Sequence, residues 1–262
     1  MDPALITSRG ATVTIASLNL HGGVSGYGRP FDVAAALTGL DADVIAVQEA
    51  WWTTDDGADP ADATNGTDPV AAAARRLGAR LIRTRLSSDV SLADLGIAPV
   101  EDRGNWGIAV ISRLPVADWE TLNLGQAPGD LIGRASLICS VTAPSGWRLR
   151  LACTHLSPRL NSPAQLYRLT QHLLRTPAPT VIAGDLNMPR VATWVAGGYA
   201  PTVRGRTFPA DMPVVQLDHL LASPRVTCLD ATVLTPVGSD HLPVRGRFSP
   251  AIRLARAALA RP

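Results

Sequence analysis

Residues 237–243 read Val-Gly-Ser-Asp-His-Leu-Pro and put a carboxylate, Asp240, directly beside an imidazole, His241, between two apolar runs of strand character. A carboxylate is a hard-cation ligand and an imidazole titrates near neutral pH, so the pair suits metal-assisted hydrolysis. Alone it proves little, because an Asp-His dipeptide on a turn is usually solvated. It has company. Asn19, Gln48-Glu49, His155 and Asp185-Leu186-Asn187 each lie at the end of an apolar β-like run, and Asp218-His219 precedes Leu220-Leu221.

Each cluster has a chemical and a structural interpretation. Glu49 follows Val44-Ile45-Ala46-Val47, so it is expected to leave a buried strand at its C-terminal end, where carboxylates line clefts and bind hard cations. A surface Glu opening a loop is the alternative. Asn19, between Leu18 and Leu20, caps the turn into His21-Gly22-Gly23 or ligates a metal or phosphate oxygen. Gly184-Asp185-Leu186-Asn187 is more specific: Gly184 permits a tight strand exit, and the period of two would project Asp185 and Asn187 from one side. The carboxylate can then orient or deprotonate a water while the amide donates to a phosphoryl oxygen, with an Asx-turn as the structural alternative. His155 is an acid, a base or a satisfied structural histidine. Asp218, if it reaches His241, would fix the tautomer and stabilise the imidazolium.

Other chemistries fare worse. No Gly-x-Ser-x-Gly elbow and no Gly-Lys-Ser/Thr ending occur, which removes a hydrolase nucleophile elbow and a phosphate-binding loop. Cys139, Cys153 and Cys228 sit mostly in apolar runs and read as buried thiols, not as a disulfide framework or zinc site. Every one of the 24 basic residues is Arg, and the net charge is only +2, so no global field draws the chain to nucleic acid. No apolar run approaches bilayer length, and the N-terminus lacks a secretory pattern. The expectation is a cytoplasmic monomer.

The 262 residues fit one large α/β unit. Strand character falls at residues 12–20, 43–47, 80–86, 107–112, 134–142, 148–154, 180–183, 217–222 and 243–248, and helical spacing at 31–40, 69–77 and 162–174. Hairpin-like pairs mixed with helix-separated strands favour an α/β sandwich over a doubly wound sheet. Residues 51–69, with Asp55, Asp56, Asp59, Asp62 and Asp68, read as an acidic loop beside Glu49. Residues 89–102 and 201–212 read as loops, and the Arg-rich tail from Pro250 as a short helix. The organisation expected is an extension at 1–11, a domain at 12–249 and a tail at 250–262.

In order along the chain, Ser17-Leu18-Asn19-Leu20, Ala46-Val47-Gln48-Glu49, Gly107-Ile108-Ala109-Val110-Ile111-Ser112-Arg113, Cys153-Thr154-His155-Leu156, Ala183-Gly184-Asp185-Leu186-Asn187, Leu217-Asp218-His219-Leu220 and Ser239-Asp240-His241-Leu242-Pro243 resemble the motifs of the endonuclease/exonuclease/phosphatase superfamily. The resemblance implies a four-layer sandwich of two central mixed β-sheets flanked by helices, like deoxyribonuclease I. It also implies that Glu49, with Asn19 and Asp240, holds Mg²⁺ (or Mn²⁺). Asp185 would orient water, Asn187 contact the phosphoryl group, and His241 with Asp218 stabilise its charge. His155 would act as acid or phosphate ligand, and Arg134 would contact phosphate. The family often places an acidic partner for the first His before Gly107, where this chain reads Arg103-Gly104-Asn105-Trp106.

These features imply a divalent-metal-dependent phosphoesterase acting on diesters. The alternatives are a phosphatase or phospholipase-C-like hydrolase of small phosphorylated or lipid head groups, and, from another class, an inactive phosphate-binding scaffold. Nucleic acid stays open as a substrate: Arg75, Arg76, Arg80, Arg83 and Arg85 cluster, Arg204 and Arg206 lie on a candidate rim, and Trp51, Trp52 and Trp106 could stack on bases.

Overall fold

A computed structural model describes residues 11–53, 68–158 and 161–251. In chain order the strands are β1 (Val13–Asn19), β2 (Val44–Trp52), β3 (Arg80–Val90), β4 (Gly104–Ser112), β5 (Val116–Gly125), β6 (Arg134–Thr142), β7 (Arg148–His155), β8 (Thr180–Asp185), β9 (Ala200–Pro201), β10 (Asp218–Ala222), β11 (Val226–Val233) and β12 (Val244–Pro250). The helices are α1 (Val33–Thr38), α2 (Pro69–Arg76) and α3 (Ser162–Arg175).

Two six-stranded mixed sheets form, in the orders β11-β12-β1-β2-β4-β3 and β5-β6-β7-β8-β10-β9. Each has one parallel pair near its centre, β1 with β2 and β7 with β8. The central strands are apolar on both faces because both faces are covered. Val13, Ile15, Val44, Ala46, Leu149, Leu151, Val181 and Ala183 point between the sheets. Ala16, Leu18, Ile45 and Val47 pack outward with α1 and α2 residues, and Ala152 and Ile182 with α3 residues. The order is therefore helix, sheet, sheet, helix, as expected.

Several boundaries move. β2 does not end before Glu49 but runs on through Trp52. β3 and β4 are longer than the apolar runs that announce them, and β5, β9 and β11 were not expected. Asp68 is no part of a solvated acidic loop. Its buried carboxylate caps α2 through Ala71 N at 2.9 Å and pairs with Arg83 Nη1 at 2.7 Å. Asp55, Asp56, Asp59 and Asp62 lie outside the described residues, as does the tail helix. Trp52 and Trp106 are buried, and Trp51 Nε1 donates to Val90 O, so Trp52 is packing residue and not a base platform. The Arg cluster is partly spent as well: Arg83 also lies over the Trp52 ring, and Arg80 over Trp119. No helix among the described residues is long and apolar enough to cross a membrane.

Candidate active site

The second sheet aligns three polar residues by register. His155 faces Asp185 across the parallel β7/β8 pair, and Asp185 faces Asp218 across the antiparallel β8/β10 pair. Gly184 makes this possible, because a Cβ there would lie 1.8 Å from Thr154 O; only glycine lets β8 approach β7 this closely. The strand stops at Asp185, so Asn187 does not reach the same side by strand alternation. It turns back in a left-handed conformation (φ 50°), with its N–H donating to Asp185 Oδ1 at 2.8 Å. The Asx-turn and the site are one and the same structure.

In the first sheet, Gln48 and Glu49 together oppose Ile108, because the pairing shifts between Val47/Ala109 and Ala50/Gly107. This is a β-bulge, with Glu49 at φ 52°, and bulges re-aim side chains. Gln48 turns inward, accepting from Ser17 Oγ and donating to Cys153 Sγ, while Glu49 turns to the cleft. Mid-strand bulge, not strand exit, is what presents the carboxylate. The two sheet ends then meet, since Asn19 Nδ2 donates to Asp185 Oδ2 at 3.2 Å. The turn before β12 is tied in by Ser239 Oγ donating to Asn19 O at 2.6 Å, which brings up Asp240 and His241.

Asp218 and His241 meet: Oδ2 accepts from Nδ1 at 2.8 Å, with both side chains buried. Burial opposes protonation of His241, but Asp218, then Asp185 and Asp240, outweigh it and lift its pKa to about 10. His241 is thus a buried imidazolium whose Nε2 lies 3.7 Å from Asp185 Oδ2. Burial likewise lifts Asp185 to about 7, against His241 and with Asp218, and raises Glu49, opposed by His21 and His241.

His155 has no acidic partner on Nδ1. Arg134 Nη1 stands there at 3.0 Å, and a guanidinium can only donate. Nδ1 must therefore accept, which places the proton of the neutral ring on Nε2. Burial first, then Arg134 and His241, hold the His155 pKa well below 6.5. The geometry thus makes His155 a neutral donor and not a cationic acid. Asn187 Nδ2 is 3.1 Å from His155 Nε2 and also donates to Leu156 O at 2.9 Å. Two N–H donors consequently face one another next to the His241 imidazolium, with Asp185 Oδ2 3.5 Å from Asn187 Nδ2 and 3.6 Å from His155 Nε2, and Glu49 Oε1 3.6 Å from His155 Nε2. Such a set receives an oxyanion.

His21 was missed as a site residue and read only as part of a turn. It stands at φ 48°, its Nδ1 is buried without a hydrogen-bond partner, and it lies 3.7 Å from Asp240 Oδ1. No signal beyond its place before Gly22-Gly23 could have found it. The thiols have no part in this site: burial pushes Cys139 and Cys153 up to about 12. His219 is structural, held by Met188 O and Gln216.

Among the described residues no three His, Cys, Asp or Glu side chains converge as a ready metal cage. The chemistry of the donors nonetheless fits a hard cation. Glu49 is repelled by Asp240, and Asp185 by Glu49, and the His21 Nδ1 without a hydrogen-bond partner lies 3.7 Å from Asp240 Oδ1.

A family model described as endonuclease/exonuclease/phosphatase family matches residues 16–241, nearly the span that carries these side chains. The chain belongs to that family. It is therefore a hydrolase of phosphoester bonds. The fold of this family member is similar to an endonuclease/exonuclease/phosphatase from Beutenbergia cavernae DSM 12333, at TM-score 0.71 and 20% identity, covering 92% of this chain and 72% of that one. It is also similar to the human Nocturnin catalytic domain with bound sulfate (TM-score 0.66, 17% identity, 92% and 94% covered). A mannosyl-6-phosphatase from Bacteroides thetaiotaomicron VPI-5482 gives TM-score 0.65 at 14% identity, with 90% and 99% covered. At these identities the likeness shows the fold. A sequence comparison with curated proteins found no match.

Proposed function

We propose that this family member is a divalent-cation-dependent phosphodiesterase. The observation that carries the proposal is the division of the site into two halves of opposite need. Glu49, Asp185 and Asp240 crowd negative charge, while His155 Nε2, Asn187 Nδ2 and His241 Nε2 are donors gathered 3.5–3.7 Å from Asp185 Oδ2, where the two halves meet. A phosphate ester with a bound cation satisfies both at once.

Glu49 and Asp240, with Asn19 behind them, would hold Mg²⁺ or Mn²⁺. Asn19 Oδ1 is engaged by the His21 N–H at 3.0 Å, so its first task is to shape the turn. A bound cation supplies charge neutralisation at the phosphoryl and leaving oxygens. Asp185, with a pKa near 7, takes the proton of the attacking water, as a base poised at working pH does best. His155 and Asn187 donate to a non-bridging oxygen, and the imidazolium of His241, fixed by Asp218, opposes the charge that grows in the transition state. Arg134 holds His155 in the tautomer this requires.

A diester is favoured over a monoester because the cleft opens on both sides of the proposed cation ligands Glu49 and Asp240. A cavity of about 670 Å³ includes His21 and Asp240, and one of about 350 Å³ includes His21, Glu49 and Arg134. A monoester would leave one side empty. The test is hydrolysis of bis-p-nitrophenyl phosphate against p-nitrophenyl phosphate, with Mg²⁺, Mn²⁺ or EDTA. Faster cleavage of the diester, lost in EDTA, is expected. Undiminished turnover in EDTA, or preference for the monoester, overturns the proposal.

A further inference from the structure

The two cavities share His21, Gly96 and Ile97 and so form one cleft, with the proposed cation ligands Asp240 in one lobe and Glu49 in the other. The walls of the larger lobe include Ile97, Phe208 and Pro209, with the Tyr27 ring at its mouth. Tyr27 is 76% exposed. Its hydroxyl donates to Asp211 Oδ2, tying the two loops of the rim together. Ala210 N donates to Asp240 O at 2.7 Å, so this rim is also fixed to the site. A volume of about 670 Å³ lies within the range of small-molecule pockets, roughly 300–1,000 Å³.

Charge in the cleft runs against polyanions. Among the described residues no Arg lines the larger lobe, which carries Asp211 and Asp240. In the smaller lobe the basic lining residue is Arg134, beside Glu49 and Asp130. Arg134 Nη1 donates to His155 Nδ1 at 3.0 Å, while its buried Nε, 3.8 Å from Asp130 Oδ2, has no hydrogen-bond partner and is one free donor. Arg80 and Arg83, which made nucleic acid attractive in sequence, lie on β3 over the Trp119 and Trp52 rings and line neither lobe. A nucleic-acid strand carries a phosphate at every residue and needs several cations along its track. This cleft offers donors for one.

We propose that the substrate is a small diester bearing a single phosphate, with an uncharged organic group of about nucleoside size seated in the Tyr27–Phe208–Asp211 lobe. The proposal rests on the phosphodiesterase function above and names its substrate class.

The experiment compares thymidine 5′-(p-nitrophenyl phosphate) with the same ester carrying a 3′-phosphate, in the full chain with Mg²⁺ at low salt. The unphosphorylated ester should have the higher kcat/KM, by about tenfold, because the second phosphate meets acidic walls in either lobe. Salt should narrow that ratio, and Asp211→Arg and Asp211→Asn should narrow it in that order. Equal or better use of the 3′-phosphorylated ester overturns the proposal, as does a ratio that Asp211→Arg leaves unmoved. Cleavage of bis-p-nitrophenyl phosphate but of neither thymidine ester also overturns it. Failure to cleave any diester strikes the phosphodiesterase function instead.

Discussion

Asp218→Asn tests the centre of the proposed mechanism with little change of shape. Asp218 is fully buried, and one oxygen holds His241 Nδ1 at 2.8 Å while the other, Oδ1, has no hydrogen-bond partner. The carboxylate is therefore present mainly for charge. The gap between a pKa of about 10 and the ordinary 6.5 corresponds to about 5 kcal/mol favouring the imidazolium. Burial works against it, and Asp218 is the largest of the groups working for it. Without that charge, Asp185 and Asp240 are left to oppose desolvation, and the pKa should fall to the ordinary range or below. A neutral His241 forfeits a charge-assisted donor in the transition state, which costs about 3 kcal/mol, or about 100-fold in kcat at pH 7, with KM little changed.

The pH dependence separates this from general damage. Histidine is charged below its pKa, so the native enzyme keeps its imidazolium through pH 8, whereas the variant loses it as pH rises. The deficit should deepen between pH 5 and pH 8. The assays are kcat and KM across that range and an NMR titration of the His241 ring. A kcat within fivefold of the native value at pH 7, or an unmoved ring pKa, refutes the electrostatic role of Asp218.

Glu49→Gln should abolish cation-supported hydrolysis and calorimetric cation binding, yet raise the melting temperature of the cation-free protein, because burial already disfavours the Glu49 charge; a lowered melting temperature contradicts this. Gly184→Ala should cost 3 kcal/mol or more in urea unfolding, since its Cβ would meet Thr154 O at 1.8 Å; a loss under 1 kcal/mol means the β7/β8 contact is not fixed. Cation-free stability should fall as pH rises into the alkaline range. His241 is raised from 6.5 to about 10, so the folded state binds more protons and loses stability from about pH 7 to 10; at lower pH Asp185, raised from 3.8 to about 7, is opposed by His155 and His219, both held below 6.5. Mg²⁺ should offset the loss above pH 7, where thermal melts with and without it diverge; parallel melts exclude the carboxylate cluster as the cation site.

The central strands were legible because both faces of each sheet are covered, leaving apolar runs such as Leu151 to Cys153 and Val181 to Ala183 that a buried strand explains. The edge strands were not. β5, with Asp118, Trp119, Glu120 and Thr121 exposed, and β11, with Asp230 exposed, meet solvent on one side and look like loops to a test based on hydrophobicity. The polar residues clustered in sequence because strand ends gather at the same rim of the sandwich. What no pattern could supply was contact between distant side chains: the Arg134 partner of His155, or the orphaned His21 nitrogen.

Glu49 shows why the rest stayed hidden. Its backbone (φ 52°), like that of His21 (φ 48°) and Asn187 (φ 50°), occupies the left-handed region, at about 1–3 kcal/mol each for a residue with a Cβ. Asn and His are among the residues that visit that region; Glu gains nothing there locally. Half of the non-glycine residues with positive φ among the described ones thus stand in this single site. The same residues bring together carboxylates that repel and donors that face each other. Backbone strain and opposed charge are then concentrated at one place, the proposed site of the cation and the phosphate ester. Local propensity argues against each of these conformations, so a sequence rule would reject them; the surrounding sandwich, packed from helix to helix, over-determines them.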